Sequence, residues 1–445
     1  MKTLMNPTQQ RQCRIARSVS MIFSATVLAL PQLAQAQSAK TAMQPTKPPI
    51  AQAWIDVATH HSDIPGMGAM AGFATGGLGG GISGLFGSKS GGNIFGNTRI
   101  SMAPGKWLDV SVMTRNEPNL AEATQNIPGG MSMNPALKLT VPPPEKYDPP
   151  VRRDDEPVEP KYEKPKGKML LYWGCGDTIR AGQPRVFDAA NPNLNDMQKF
   201  FGNMRNSTTR GARSAPGNPS WPNKTDDRKV PDNASLIGEH QFIGKGIPEN
   251  FNPKLGEAQD FLAPYAISQK NDNGVIRLEW PSIAHARGYF ISAIGAKQGA
   301  NKDETEMVIW TSSEVPELGF GLNDFQTNAA IDKWIKEKAV MPATATQCAV
   351  PKGIFSDDSG GGRAGAGMLR ATAYGSEAYF AYPPRPSDVR VTWEPEWQTK
   401  VRLKSTFMSM LGGMGDEGGR GQDRQAPKKE EKIKPADILK GLFGR

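Results

Sequence analysis

The feature that most limits the fold of this 445-residue chain is a series of short segments in which apolar and polar residues alternate. Examples are AWIDVATH at 53–60, KWLDVSVMT at 106–114 and ALKLTV at 136–141. Strict alternation is typical of strands that bury one face. The 48 glycines and 37 prolines separate such segments with turns and linkers. We therefore predict a mainly β, multi-domain protein with β-sandwich-like modules, Pro-rich and Gly-rich linkers and few short helices.

Two alternating segments near the N-terminus share the order Trp-[Ile/Leu]-Asp-Val, at 54–57 and 107–110. We predict that they are two strands of one small sheet, because their large apolar residues alternate with polar ones. Residues 37–141 then form an N-terminal β module with a Gly-rich insertion at 64–97. The segment NLAEATQN at 119–126 is predicted to be a short helix.

A proline-rich, charged stretch at 142–167 is the clearest boundary in the chain. It contains eight prolines among acidic and basic residues, and such a stretch behaves as an extended spacer. We predict a loop-rich middle region at 168–264, which opens with a strand in KMLLYWGCG at 168–176 and has one short helix near 195–203. The tail at 412–445 is predicted to be disordered because it is rich in glycine and charge.

The first 36 residues have the three parts of a Sec signal peptide. A basic region is followed by 13 uncharged residues at 18–30, and Ala-Gln-Ala at 34–36 supplies small residues for cleavage. The alternative is a membrane anchor, but a bilayer core needs roughly 20 apolar residues. We predict export to the periplasm, the outer membrane or the cell surface. A lipoprotein is not expected, because Cys13 lies away from the cleavage position.

Signal cleavage changes both the charge and the cysteine content. The whole chain carries +9, and residues 1–36 hold four basic and no acidic residues, which leaves +5 on the remainder. This mild surplus does not indicate nucleic-acid binding. Cleavage also removes Cys13 and leaves Cys175 and Cys348. In an oxidising compartment two cysteines favour a disulfide, with two separately buried thiols as the alternative.

A pattern of aromatic residues follows the tight-turn dipeptide Asn273-Gly274. Trp280, Ala286 and Tyr289 stand at the spacing W-x5-A-x2-Y. This pattern resembles the second and third strands of fibronectin type III and related immunoglobulin-like sandwiches. The resemblance implies that the tryptophan and the tyrosine share one core. It also implies a sandwich fold with a binding or spacer role, but it does not imply a ligand.

The resemblance covers roughly residues 265–386, within a predicted C-terminal region at 265–411. MVIWTSS at 307–313 is similar to a middle strand of the family, and MLRATAYGSEAYFAYP at 368–383 to its last two strands around a Gly-Ser turn. One segment departs from the family, because the apolar residues at 321–340 have helical spacing. We predict a helix there.

Basic residues alternate with apolar residues near the end of this region. VRVTW at 389–393 and VRLKSTF at 401–407 are predicted to form a strand pair. The polar face of this pair holds four basic residues, namely Arg390, Lys400, Arg402 and Lys404. Such a row can bind phosphate or acidic polysaccharide. The alternative is the solvated face of a sheet, on which lysines deter edge pairing.

The most unusual segment is the Gly-rich run at 64–96, which has no charge over the 25 residues between Asp63 and Lys89. Its glycines include a period of four at Gly68, Gly72, Gly76, Gly80 and Gly84. A helix would place these on one stripe, as in the small-xxx-small packing of membrane helices. We predict membrane contact or self-association through this stripe. A flexible loop is the alternative, because glycine disfavours helices in water.

Sequence motifs give little support to an enzyme. The histidines are His60, His61, His240 and His285, and there is no HExxH, GxSxG, P-loop or CxxC motif. We expect a non-enzymatic envelope protein with a structural, adhesive or assembly role, no cofactor and no metal. Its expected partners are a membrane, further copies or another envelope component. The alternatives are a soluble periplasmic binding module for glycan or peptide, and a secreted hydrolase without a recognisable motif.

Overall fold

The computed structural model describes residues 44–64, 93–100, 103–133, 136–144, 167–202, 204–298, 305–355 and 367–411. The strands are β1 (Ala51–Ser62), β2 (Gly105–Thr114), β3 (Glu122–Asn126), β4 (Ala136–Thr140), β5 (Lys168–Trp173), β6 (Arg185–Asp188), β7 (Ser220–Trp221), β8 (Gly238–Glu239), β9 (Gln241–Ile243), β10 (Lys254–Leu255), β11 (Ser268–Asp272), β12 (Val275–Glu279), β13 (Gly288–Gln298), β14 (Thr305–Thr311), β15 (Met341–Pro342), β16 (Gln347–Val350), β17 (Gly367–Tyr382) and β18 (Trp397–Met410). The α-helices are α1 (Asn97–Ile100), α2 (Leu194–Phe201) and α3 (Asn328–Lys336). The prediction of a mainly β protein with few short helices is confirmed.

Thirteen strands form one large sheet, in the order β6-β5-β14-β13-β17-β18-β1-β2-β7-β4-β3-β9, with β15 beside β13. At its centre β1 pairs in parallel with β18 and antiparallel with β2. Strands of the predicted N-terminal module therefore share a sheet with strands of the predicted C-terminal region. The described residues also form a two-stranded sheet, β10-β8, and a three-stranded sheet, β11-β12-β16.

Most of the predicted strands are confirmed, and one predicted helix near the N-terminus is wrong. The two Trp-[Ile/Leu]-Asp-Val segments are the paired strands β1 and β2, with Asp56 directly opposite Asp109. The predicted helix at 119–126 contains strand β3 instead, which pairs with β4 and β9. Ala123 and Gln125 are buried on alternate positions of β3. Pairing on both sides thus outweighs the local preference of this segment for a helix.

Two predictions near the C-terminus are also corrected. Residues 368–382 lie in one long strand, β17, whose pairing with β18 shifts register between Tyr374 and Glu377. The Gly-Ser pair is therefore a bulge rather than a turn, and a Cβ on Gly375 would lie 2.5 Å from the Cβ of Leu403. VRVTW forms no strand. The backbone N–H and the side chain of Arg390 both donate to Asp388 and close a turn there.

The apolar core lies on one face of the central strands. Ile55 and Val57 of β1 and Val401 and Leu403 of β18 belong to one large buried cluster. The three-stranded sheet contributes Leu278 to the same cluster. The alternation of β1 and β18 therefore places apolar side chains on this face and charged side chains on the other.

The aromatic contact implied by the fibronectin resemblance is present. The ring centroids of Trp280 and Tyr289 lie 5.7 Å apart, and Tyr265 packs against both rings. The predicted helix within 321–340 is also confirmed as α3, on which Ile331 and Trp334 are buried. The helix therefore lies where the resemblance alone would imply strands.

Candidate functional site

The second face of the large sheet carries charged residues in a continuous row. Asp109 of β2 lies opposite Asp56 of β1, Asp56 opposite Arg402 of β18, and Arg402 opposite Glu377 of β17. All four residues are buried. Burial of a charge is costly unless an opposite charge and hydrogen bonds compensate for it, so the row must hold its own counter-ions.

Arg402 and Asp56 form the central pair of the row. Nε of Arg402 donates to Oδ1 of Asp56 at 2.7 Å, and Nη2 donates to the second carboxylate oxygen. The two side chains are 3% and 2% exposed. Burial opposes the charge on Arg402, but the attraction and hydrogen bonds of Asp56, together with attraction to Asp324 and Glu377, outweigh burial and raise the pKa of the guanidinium. This pair therefore joins the N-terminal strand β1 to the C-terminal strand β18 by charge as well as by backbone pairing.

The two lysines of β18 flank this pair and have their own acidic partners. Nζ of Lys400 lies 2.8 Å from Oε1 of Glu377, and Nζ of Lys404 lies 3.1 Å from Oδ1 of Asp324. Burial lowers the pKa of Lys404 to about 8, although Asp324 partly offsets it. Burial also disfavours the Asp324 carboxylate, but Lys404 and Arg99 hold its pKa at about 2.

Loops from the predicted middle region cover this charged face. Nη1 of Arg402 donates to the carbonyl oxygen of Thr209 at 3.1 Å, and the N–H of Ala212 donates to Asp56 at 3.0 Å. The backbone at Gly211 passes so close that a Cβ there would overlap the Arg402 guanidinium. The charged row is therefore an internal layer between the sheet and these loops.

The predicted basic face is corrected by these contacts. Lys400, Arg402 and Lys404 do alternate along one strand, but they are buried and paired with acids. Arg390 lies apart from them, with an 86% exposed side chain that pairs with Asp388. The three β18 residues thus form neither an exposed anion-binding face nor a solvated face. The alternation of β18 predicts the strand, but it cannot show that acidic residues from distant segments cover it.

Asp109 and His60 lie on the same charged face. Asp109 accepts hydrogen bonds from the N–H of Gly96 at 2.9 Å and from the N–H and hydroxyl of Thr98. Burial nevertheless raises the pKa of Asp109 to about 7, and the nearby Asp56 adds to the rise. Burial, together with Lys404, lowers the pKa of His60 to about 3. Asp109 therefore favours its neutral form below about pH 7, and His60 favours its neutral form above about pH 3.

The raised pKa of Asp109 predicts a pH-dependent stability difference. Because its folded pKa lies above its unfolded value of 3.8, the stabilising contribution is greatest below about pH 4 and is lost as the pH rises to about 7. The free energy of unfolding in urea, relative to that of an Asp109→Asn variant, should fall by about 2–3 kcal/mol between pH 4.5 and 7.5. A difference that stays constant between these pH values would contradict the assignment.

The two cysteines of the predicted pair are bonded. The Sγ atoms of Cys175 and Cys348 lie 2.06 Å apart and their Cα atoms 5.2 Å apart. Cys175 follows β5 of the large sheet, and Cys348 lies in β16 of the three-stranded sheet. Close by, the N–H of Gly176 donates to the carbonyl oxygen of Ala349 at 3.0 Å. The bridge therefore ties the two sheets together.

The predicted glycine stripe, Gly68, Gly72, Gly76, Gly80 and Gly84, lies outside the described residues. The signal peptide and the C-terminal tail lie outside them as well. Within the described ranges, no helix is both long and apolar enough to cross a membrane. Those ranges also hold no group of three or more His, Cys, Asp or Glu side chains that could bind a metal ion.

A separate open cleft lies at one end of the three-stranded sheet. Its volume is about 670 Å³, and its described lining is Asp63, Ala266, Ile267, Ser268, Glu279, Trp280, Pro281, Thr346 and Gln347. The first residue of β11, the last of β12 and the first of β16 contribute to this lining. The pairing of these three strands thus brings together residues far apart in the sequence.

No family model, curated protein or solved structure matches this chain. The likeness of residues 265–386 to fibronectin type III domains therefore remains a prediction from sequence pattern.

The sequence analysis missed the acidic partners of the basic strand. The acids are dispersed, with Asp56 in β1, Asp324 in a loop and Glu377 at the bulge of β17. One signal was available, because Asp56 and Asp109 interrupt otherwise apolar strands at the same place in a repeated motif. An acid in such a position indicates buried hydrogen-bond or ion-pair partners, which are Gly96 and Thr98 for Asp109 and Arg402 for Asp56.

Proposed function

We propose that this chain is an exported, non-enzymatic structural protein of the bacterial cell envelope, with a role in assembly or adhesion. The observation that carries the proposal is the disulfide between Cys175 and Cys348. Disulfides persist in the periplasm and outside the cell, and they are rare in the cytosol. The bridge therefore agrees with the signal-peptide pattern of residues 1–36.

The internal charged layer supports a structural role. The basic groups of β18 form ion pairs that join the strands of the sheet to one another and to the loops that cover them. These groups are Lys400, Arg402 and Lys404. A buried, hydrogen-bonded ionic layer favours one specific arrangement of strands, because any other pairing leaves a charge without its partner. A defined sheet of this kind suits a component that presents fixed surfaces to its neighbours.

One end of the large sheet is the proposed membrane-facing or partner-facing end. Six neighbouring strands end at this place, namely β1, β18, β17, β13, β14 and β5. Their end residues pair across the sheet as follows: Ser62 with Met408, Met368 with Met410, Gly295 with Gly367, Gln298 with Thr305, and Glu306 with Lys168. The Gly-rich segment and the C-terminal tail both join the sheet at this end. A contact made by the Gly-rich segment would therefore orient the whole sheet.

Cell fractionation tests the proposed location. The full chain, expressed in a bacterium with its own N-terminus, should be absent from the cytosolic fraction and should stay with membranes after a high-salt wash. Salt removes proteins held by surface charge, but it does not remove inserted apolar segments. Recovery in the cytosol would contradict export. Release with the soluble periplasmic contents would contradict membrane association but would agree with export.

Glycine replacements test the role of the stripe. A variant with Gly72→Leu, Gly76→Leu and Gly80→Leu should lose oligomers or membrane association, because leucine prevents the close approach that a small-residue stripe allows. The matched control places leucine at Gly77, Gly79 and Gly81, outside the period of four. Cross-linking and fractionation measure both variants. Equal behaviour of the two variants would overturn the role of the stripe.

A further inference from the structure

The cleft at the end of the three-stranded sheet has an apolar floor and a polar rim. Ile267 and Trp280 are buried at its base. The rim consists of exposed polar side chains, namely Asp63, Ser268, Glu279, Thr346 and Gln347. A volume of about 670 Å³ is within the range of small-molecule sites, and an apolar floor with a few polar groups is their usual composition.

Trp280 contributes a hydrogen-bond donor that lacks a partner. The residue is 4% exposed, and its indole N–H makes no hydrogen bond within the described residues. Contacts with the rings of Tyr265 and Tyr289 fix the orientation of the indole. Buried polar groups are nearly always hydrogen-bonded, and an unpaired one is costly. The nitrogen is itself buried, so a ligand acceptor reaches it only if the neighbouring side chains shift, and such a contact would remove that cost.

The rim provides acceptors for hydroxyl groups. The carboxylates of Asp63 and Glu279 each have two oxygens that accept hydrogen bonds, and the amide of Gln347 both donates and accepts. Adjacent hydroxyls of a sugar ring suit such paired oxygens, while the C–H groups of the ring suit an apolar floor. The described lining holds two acidic and no basic side chains, which disfavours an anionic ligand.

We propose that this cleft binds a neutral oligosaccharide. A peptide added as an extra strand is disfavoured, because Ser268, Glu279 and Gln347 lie at strand ends rather than along a strand edge. His61 faces Asp63 in the rim, and Nε2 of His61 lies 3.2 Å from the carboxylate of Asp63. The lining consists of strand ends and the loop residues beside them, and the test below measures sugar binding directly, so its failure would leave the proposed membrane contact of the Gly-rich segment untouched.

Calorimetric titration of the whole chain tests the proposal with defined sugars. The probes are the tetramers of N-acetylglucosamine, of α-1,4-linked glucose and of β-1,4-linked glucose. The tetramer of glucosamine, which has the same skeleton as the first but carries amines, and trilysine serve as cationic comparisons. At least one neutral tetramer should bind with a Kd of about 1 mM or tighter, as expected for a shallow site.

Two variants locate the binding. Glu279→Gln keeps the shape of the rim but removes a charge, and Trp280→Phe keeps an aromatic floor but removes the N–H. Each should weaken binding by about fivefold to tenfold, because each loses one hydrogen bond to the sugar. The matched controls are Asp232→Asn, an exposed acid, and Trp397→Phe, another buried indole whose N–H has no partner among the described residues and which does not line the cleft. The controls should change the Kd by less than about twofold.

Three outcomes would overturn the proposal. The first is the absence of binding by every neutral tetramer at about 10 mM. The second is binding that Glu279→Gln leaves unchanged, since this surface replacement does not endanger folding. The third is binding of the glucosamine tetramer or trilysine alone, which would assign the cleft to a cationic ligand.

Discussion

Replacement of Arg402 with methionine should lower the free energy of unfolding by about 3–5 kcal/mol, the usual cost of breaking a buried ion pair. The change leaves the carboxylate of Asp56 buried without its partner, since the Asp56 side chain is only 2% exposed. It also removes the hydrogen bond to the carbonyl oxygen of Thr209, which holds a covering loop. Urea unfolding followed by circular dichroism measures the effect.

The matched control for this experiment is Arg390→Met. Arg390 also pairs with an aspartate, but its side chain is 86% exposed. An exposed pair contributes about 0–1 kcal/mol, so the control should remain close to the parent protein. A double variant, Asp56→Leu with Arg402→Met, should recover much of the lost stability, because it leaves neither charge unpaired. Equal effects of Arg402→Met and Arg390→Met would contradict the internal charged layer.

Reduction of the Cys175–Cys348 bridge should lower the free energy of unfolding by about 2–5 kcal/mol. The bridge closes a loop across a sequence separation of 173 residues, and long loops lose the most entropy in the unfolded chain when they are closed. It also holds the three-stranded sheet against the large one. Urea unfolding with and without dithiothreitol gives the difference.

A variant with Cys175→Ser and Cys348→Ser is the control for the reducing agent. Its stability should match that of the reduced parent, and dithiothreitol should not change it further. If the reducing agent destabilises this variant as well, its effect does not arise from the bridge. Labelling of two thiols in the unreduced parent would show that the bond is absent.

Local patterns in the sequence predicted most individual strands but not how they assemble. The alternation in β1, β2 and β18 reports only which side chains share a face. It contains no information on whether the polar face meets water or other protein. The same strand, VRLKSTF, is therefore compatible with a solvated edge or with the centre of a thirteen-stranded sheet.

The missed features all depend on contacts between residues far apart in the chain. Asp56 and Arg402 are 346 positions apart, and no local pattern connects them. The cleft likewise combines Asp63 with strand ends about 200 to 280 residues further on. The disulfide was predictable because cysteine pairs are chemically restricted and only two cysteines lie outside the predicted signal peptide. Carboxylates and basic groups are too numerous for such a deduction.

An intact-mass measurement of the protein recovered from cells tests the central claim, which is export into an oxidising compartment. We predict a chain that begins at Gln37 and is lighter by two hydrogen atoms than its reduced form. The mass shift after reduction and alkylation should correspond to two cysteines. A chain that retains residues 1–36 and reacts at three free thiols without reduction would contradict both export and the disulfide.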